Sequence, residues 1–284
     1  MSLVTTTYML RQAQAGGYAI GAFNIENAEM AQAVCAAARR TGMPVILQTT
    51  SSTLRYMTPA SFAGIAAAAA AQYQVDVALH LDHGSSYELA CACIEAGYTS
   101  VMIDGSKLAF EENIALTQRM VGFAHQKGIP VEAELGTVGG KEDDTQSAGD
   151  QYTDPAQAAL FVERTGVDSL AIGFGTAHGV YATPPVLDLA RVALVRRQVA
   201  VPLVMHGTSG VSLPDVQTAI RNGICKVNYA TELREAFTQG VQAYLAQDAG
   251  VIDPKKYLSQ ARESVTALVE QHIRDLCPET AARQ

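Results

Sequence analysis

Eight short apolar runs, each followed by a longer stretch, are the feature that most limits how this chain of 284 residues can fold. They are rich in Val, Ile and Leu and lie at 18–23, 44–48, 77–81, 100–103, 130–134, 169–172, 202–205 and 224–228. A short run that is apolar at consecutive positions reads as a strand buried on both faces, the kind found in parallel sheets. Between the runs, Asn27 to Arg40, Glu111 to His125, Pro155 to Arg164 and Leu213 to Arg221 have helical spacing. Start signals stand at Thr58-Pro59 and Thr153-Asp154-Pro155, and stop signals at Thr41-Gly42, Ala96-Gly97 and Asn222-Gly223. Parallel strands need a crossover, usually a helix, so the alternation implies repeated βαβ units. Eight such units predict an α/β protein of the (β/α)8 TIM-barrel type, which commonly takes roughly 250 residues. The excess, Pro254 to Leu276, reads as a C-terminal helical extension of one barrel domain spanning 1–284. A doubly wound open sheet is the runner-up, but no G-x-G-x-x-G opens the first unit to support it.

In a barrel the loops after the strands share one rim, and active sites of this fold lie there. Asn24 follows the first run, 48–52 the second, Asp82 and His83 the third, and Asp104 the fourth. Glu134 closes the fifth, His178 lies in the loop after the sixth, His206 ends the seventh and Asn228 the eighth. Polar residues with purely structural roles would not favour one rim so consistently. Three of the six histidines, at 83, 178 and 206, are among them. Three protein ligands with a fourth position open is the arrangement of catalytic zinc. His125 and His272 fit ordinary helical surfaces, and His80 fits the barrel interior or a supporting position beside Asp82. The stretches Gly173-Phe174-Gly175-Thr176-Ala177-His178-Gly179 and His206-Gly207-Thr208-Ser209-Gly210 are built of small residues. Such loops turn backbone N–H groups toward a phosphate, most effectively before a helix.

A net charge of −8 and a pI near 5.2 argue against a nucleic-acid partner. An anionic substrate would need positive potential from a metal, backbone N–H groups or a few Arg and Lys. The five cysteines form no C-x-x-C pair, which points to reduced thiols and a cytoplasmic location. The chain opens on Met1-Ser2-Leu3-Val4 with no basic leader or long apolar run, and its longest small-apolar run is 65–71. A membrane span takes about 20 such residues, so a soluble protein with no membrane partner is expected.

The sequence resembles the class II, zinc-dependent ketose-bisphosphate aldolases, the fructose- and tagatose-bisphosphate aldolase family, over nearly its whole length. The resemblance is carried by Gly21-Ala22-Phe23-Asn24, His80-Leu81-Asp82-His83, Met102-Ile103-Asp104-Gly105-Ser106, Glu132-Ala133-Glu134-Leu135-Gly136, Gly175-Thr176-Ala177-His178-Gly179, His206-Gly207-Thr208-Ser209-Gly210 and Lys226-Val227-Asn228. It implies a (β/α)8 barrel that reversibly cleaves D-tagatose or D-fructose 1,6-bisphosphate to dihydroxyacetone phosphate and D-glyceraldehyde 3-phosphate. By the same carry-over His83, His178 and His206 bind one catalytic Zn2+, and Asp82 handles the proton of the C4 hydroxyl. Asp104 and Glu134 match an alternative metal position. Glu142, in the polar loop from Gly136 to Gln151, matches a carboxylate that exchanges a proton with the enediolate carbon. Asn24, Gly179, Gly207, Ser209, Asn228, Ala230 and Thr231 match substrate-binding positions, the last six at the dihydroxyacetone-phosphate end. A monovalent cation, Na+ or K+, beside that phosphate and a homodimer or homotetramer also follow from the resemblance.

Several departures and rivals bear on this. Tyr229 stands where relatives often carry Val or Ile, and 48–53 covers a part of the family that varies with the sugar, leaving the C4 epimer open. Arg262 is a candidate for a remote phosphate or simply a helix-surface charge. Lys226 shares strand parity with Asn228 and would serve a class I Schiff-base aldolase, though such an enzyme has no use for three rim histidines. A metal-dependent hydrolase would want an H-x-H pair on the first strand, which here ends in Asn24. A non-catalytic partner subunit of a sugar-bisphosphate aldolase would be expected to lose zinc ligands, and all three are present.

Overall fold

The computed structural model describes residues 3–142, 145–147, 152–179, 181, 183 and 185–277. Its strands, in chain order, are β1 (Ile20–Asn24), β2 (Val45–Thr50), β3 (Val77–Gly84), β4 (Ser100–Ile103), β5 (Val131–Leu135), β6 (Gly139–Glu142), β7 (Thr145–Ser147), β8 (Ser169–Ile172), β9 (Ala177–His178), β10 (Leu203–Met205) and β11 (Ile224–Tyr229). Eight of them close into a barrel in the order β1-β11-β10-β8-β5-β4-β3-β2, each neighbouring pair parallel. This is the (β/α)8 barrel expected from the alternation, and helix Pro254–Leu276 is the expected C-terminal extension. The three remaining strands form a small sheet in the order β7-β6-β9.

Successive strand side chains face opposite sides, so each barrel strand feeds two shells. Phe23, Leu47, Leu79, Leu81, Val101 and Ile172 belong to the larger shell between barrel and helices. Ile20, Ala22, Ile46 and Ala78 face inward and pack on Met9, Leu10 and Ala13 of an N-terminal helix, Thr6–Gly16, that plugs the barrel floor. Above that floor the inward positions turn polar. The same parity that buries Ala22 and Ala78 delivers Asn24 and Asp82 to the upper rim.

Side-chain caps begin helices at Thr58 and Asp154, where the start signals stand, and also at Ser212. Thr58 accepts from Ser61 N, Asp154 from Ala156 and Gln157 N, and Ser212 from Asp215 N, each such cap being worth about 1 kcal/mol. β2, β3 and β11 run past the apolar positions, to Thr50, Gly84 and Tyr229, because the ladder continues through polar tips such as Thr50 opposite Asp82. The C-terminal helix packs on helices Ala28–Thr41 and Thr231–Gln247. At Gly240 the backbones come so close that a Cβ would lie 2.6 Å from Ala261 Cα. Among the described residues no helix is long and apolar enough to cross a membrane.

Candidate active site

Asp82 and His83 are consecutive, and a regular strand would send them to opposite faces. The β3–β4 register shifts between Leu81 and Gly84, and His83 takes a φ of 46°, in the left-handed region. For a residue with a side chain that conformation costs about 1–2 kcal/mol. Gly84 follows where a Cβ would sit 2.4 Å from Met102 O, so the strands can close over the irregularity only at a glycine. The result is that both side chains reach the rim.

Asp82 is 1 % exposed and held by three amides. Asn24 Nδ2 and Gln48 Nε2 donate to its Oδ2 at 3.1 and 3.0 Å, and Asn228 Nδ2 donates to Oδ1 at 3.1 Å. Gln48 also donates to Asn24 Oδ1 at 2.7 Å, which ties the tips of β1, β2, β3 and β11 together. Burial alone would raise the Asp82 pKa, but the neighbouring charges of His83, His206, Lys226 and His80 prevail and hold it below the ordinary carboxylate value.

One ring nitrogen from each of His83, His178 and His206 lies within 4.8 Å of the others. His83 Nδ1 meets Asp104 Oδ2 at 2.9 Å, and His206 Nε2 meets Glu132 Oε1 at 2.9 Å. The opposite nitrogens, His83 Nε2 and His206 Nδ1, face each other at 2.8 Å. Two imidazoles on a tetrahedral zinc would hold their nitrogens roughly 3.3 Å apart, from bonds of about 2.0–2.1 Å. A small opening of this pair therefore accommodates the ion. Glu134 Oε2 lies 3.4 Å from His206 Nδ1 with no hydrogen-bond partner among the described residues, an orphaned buried oxygen at the same point. Both observations fit a divalent metal held by three imidazoles. Burial, with the neighbouring His83 and His206, drives the His178 pKa well below its ordinary value, leaving the neutral ring a metal needs. Burial and His83 oppose charge on His206, but its bond to Glu132 and the nearby Glu134 carboxylate prevail and push its pKa up to about 9.

Below this cluster the barrel interior holds an ion pair. Lys226 Nζ donates to Glu132 Oε1 and Oε2 at 3.1 and 2.9 Å, with both side chains essentially inaccessible. A lysine head group committed to a buried carboxylate is poorly placed to attack a carbonyl, which weighs against the Schiff-base alternative. His80 Nδ1 pairs with Ser100 Oγ at 2.8 Å, in keeping with the interior, supporting position expected of it.

His178 is in β9 and not in an irregular loop. β9 pairs with β6, placing Gly140 opposite His178, and a Cβ on Gly140 (φ 87°) would lie 2.3 Å from His178 O. Glu142 is the last residue of β6, and its side chain lies outside the described residues. Asp104 is engaged with His83 and with Ser106 N, to which its Oδ1 is 3.0 Å, as a clamp on the ring.

Asn24, Gly179, Gly207, Ser209, Asn228, Ala230 and Thr231, expected to bind substrate, all line one pocket with His178. Thr208 and Arg234 line it too and escaped the sequence reading. Gly207, at φ 63°, lets the loop pass Ala177, whose carbonyl carbon a Cβ would approach to 2.6 Å. Sequence reading sets Gln48 on the rim and Lys226 as a possible nucleophile, but does not foresee the contacts of Gln48 with Asp82 or of Glu132 with His206 and Lys226, although Glu132 shares parity with Glu134 and Lys226 with Asn228. Arg262 donates to Gln32 Oε1 at 2.7 Å, on the neighbouring helix, and does not line the pocket.

The model of the class II fructose-bisphosphate aldolase family matches residues 4–279. Among solved structures, the YdjI aldolase of Escherichia coli K12 is similar at 39 % identity and a TM-score of 0.86, over 96 % of this chain and 97 % of that one. A putative fructose-1,6-bisphosphate aldolase from Coccidioides immitis is similar at 27 % identity and a TM-score of 0.85, covering 95 % and 94 %. The fructose-bisphosphate aldolase of Campylobacter jejuni is similar at 26 % identity and a TM-score of 0.82, covering 97 % and 95 %.

Proposed function

Because this chain belongs to the class II fructose-bisphosphate aldolase family, we propose that it reversibly cleaves a ketose 1,6-bisphosphate, D-tagatose or D-fructose, to dihydroxyacetone phosphate and D-glyceraldehyde 3-phosphate. The observation that carries this is the meeting of a buried, amide-held carboxylate with three converging imidazoles beside a pocket of Gly, Ser and Thr. A non-catalytic partner subunit would have no need to keep that arrangement.

His83, His178 and His206 are the residues that would hold zinc, through Nε2 of His83 and Nδ1 of His206, since Asp104 and Glu132 occupy the other nitrogens. When bound, zinc supplies a Lewis acid for the oxygens on which charge develops during C3–C4 cleavage. Asp82, ionised at neutral pH, takes the C4 hydroxyl proton. Its Oδ1 accepts a single amide, from Asn228, and so retains room for that proton. As the C4–O bond becomes a carbonyl, the C3–C4 electron pair passes into the three-carbon fragment as an enediolate. A proton delivered to C3, the role proposed for Glu142, completes dihydroxyacetone phosphate. Asn228 spends its amide on Asp82 and leaves Oδ1 without a partner among the described residues, an acceptor suited to a substrate hydroxyl. Backbone groups of Gly179, Gly207 and Ser209, with the N-terminus of helix Thr231–Gln247, suit the phosphate of the three-carbon end.

Steady-state cleavage of D-tagatose and D-fructose 1,6-bisphosphates, followed by dihydroxyacetone phosphate release, tests the reading. Turnover of at least one supports it, and the ratio of kcat/KM values names the preferred epimer. Failure to release dihydroxyacetone phosphate from either would sink the substrate class.

A further inference from the structure

The three converging histidines are not held alike. His83 belongs to β3 and His206 directly follows β10, so the barrel ladder fixes the backbone of both. His178 lies outside the barrel, in the two-residue β9, which pairs with β6 in the small sheet. Its ring nevertheless stands 5.0 Å from that of His83 and 6.0 Å from that of His206, centroid to centroid. A site that closes on three side chains needs each held to within about 0.5 Å. The segment of His178 therefore needs a tie that the barrel does not supply.

One side chain supplies it. Ala177 N donates to Tyr181 Oη at 2.6 Å, and Tyr181 Oη donates to Gly207 O at 2.8 Å. Ala177 precedes His178 and Gly207 follows His206, so a single hydroxyl joins the peptide neighbours of two of the three rings. A phenol can do this because its oxygen accepts and donates at once, at the end of a rigid ring. Gly207 brings the loop against the Ala177 backbone, and a Cβ on Gly210 (φ 90°) would lie 3.1 Å from Tyr181 Cδ2. Both glycines make room at this junction.

We propose that Tyr181 is a positioning residue for the metal centre. Its hydroxyl holds the His178 segment against the His206 loop at the spacing that lets both rings serve one ion. In this role Tyr181 acts through two peptide groups and not by touching the ion or the substrate. The inference rests on the reading of His83, His178 and His206 as zinc ligands.

The test compares full-length native protein with Tyr181→Phe, which keeps the ring and removes the oxygen. Competition with a chromophoric chelator measures the zinc Kd, and urea unfolding of the metal-free protein reports the fold. Cobalt(II)-loaded protein adds visible d–d bands, whose positions follow ligand geometry. Tyr181→Phe should weaken zinc about tenfold or more, the usual cost of losing a supporting contact at a metal site. Its cobalt bands should shift, while its urea midpoint stays close to native. Ketose bisphosphate cleavage should need more zinc and return close to the native rate once zinc is saturating. A zinc Kd equal to native, or a loss of urea stability with zinc affinity unchanged, would overturn the assignment. Gly210→Ala, which keeps the hydroxyl but crowds the ring, is a second route and should weaken zinc in the same direction. Native affinity in that variant would likewise count against the role. If zinc affinity falls in Tyr181→Phe while native protein cleaves no ketose bisphosphate, the substrate reading fails and this inference stands. Cleavage by native protein with zinc affinity indifferent to Tyr181 gives the reverse. Native protein that binds no zinc would overturn this inference and the metal reading with it.

Discussion

His83 Nε2 and His206 Nδ1 face each other across 2.8 Å, while the far nitrogen of each ring is occupied by a carboxylate, Asp104 for His83 and Glu132 for His206. Clamps of this kind fix the tautomer, aim the opposite nitrogen and raise its basicity. The two rings come from opposite parts of the barrel, the tips of β3 and β10, so neither clamp is local in sequence. The proposed chemistry depends on this pairing together with Asp82, and the following variants take it apart.

Replacing Asp82 by Ala removes the proposed base and leaves the three histidines in place. Turnover should fall by about 10²–10⁴, the usual contribution of a positioned acid–base group, while bound zinc measured by metal analysis stays at the native level. Near-normal kcat in this variant would show that the C4 proton is handled elsewhere.

Glu132 supports both His206 and the buried Lys226. Glu132→Ala strands the ammonium in the barrel interior, a loss of about 3–5 kcal/mol. In urea unfolding of the metal-free protein the single variant should be severely destabilised, and Glu132→Leu combined with Lys226→Met should recover most of the loss. Equal stability of Glu132→Ala and the native protein would mean that the ion pair is not formed.

Gly140 has a φ of 87° and lies against the backbone of His178. Gly140→Ala should push β9 outward, and displaced supporting contacts typically cost about 10–100-fold in metal affinity. Competition with a chromophoric chelator measures the zinc Kd directly. An unchanged Kd would separate β6 from the metal site.

The barrel was legible because eight apolar runs each had to be buried on both faces, and helix Leu213–Arg221 has the bounds its signals indicate, capped by Ser212 and ended by Asn222-Gly223. The rim residues followed from the ends of those runs. What escaped has no local signature. Gly139-Gly140 and Ala177-His178 show no strand periodicity, and they pair only because the barrel brings the two loops together. The irregularity at His83 lets consecutive residues serve one site, which alternation alone forbids. Arg234 sits on a helix where an arginine reads as an ordinary solvated charge, and its partner Glu26 is 208 positions away.

Thiol reactivity checks the packing independently. Burial pushes Cys35 and Cys93 up to about 12 and Cys225 up to about 11, and it raises Cys277 as well. Cys91 alone is partly exposed. A chromogenic disulfide reagent at pH 8 should therefore titrate one of the five thiols quickly in native protein and all five in denaturant. Rapid reaction of two or more would contradict the buried shell around the helices.

The most direct test of the central claim is the rate of ketose 1,6-bisphosphate cleavage measured before EDTA, after EDTA with metal analysis of the stripped protein, and after zinc is returned. The account predicts activity that is lost with the metal and restored by stoichiometric zinc in the native protein, with no restoration in His206→Ala. Full activity in protein shown to be metal-free would contradict it.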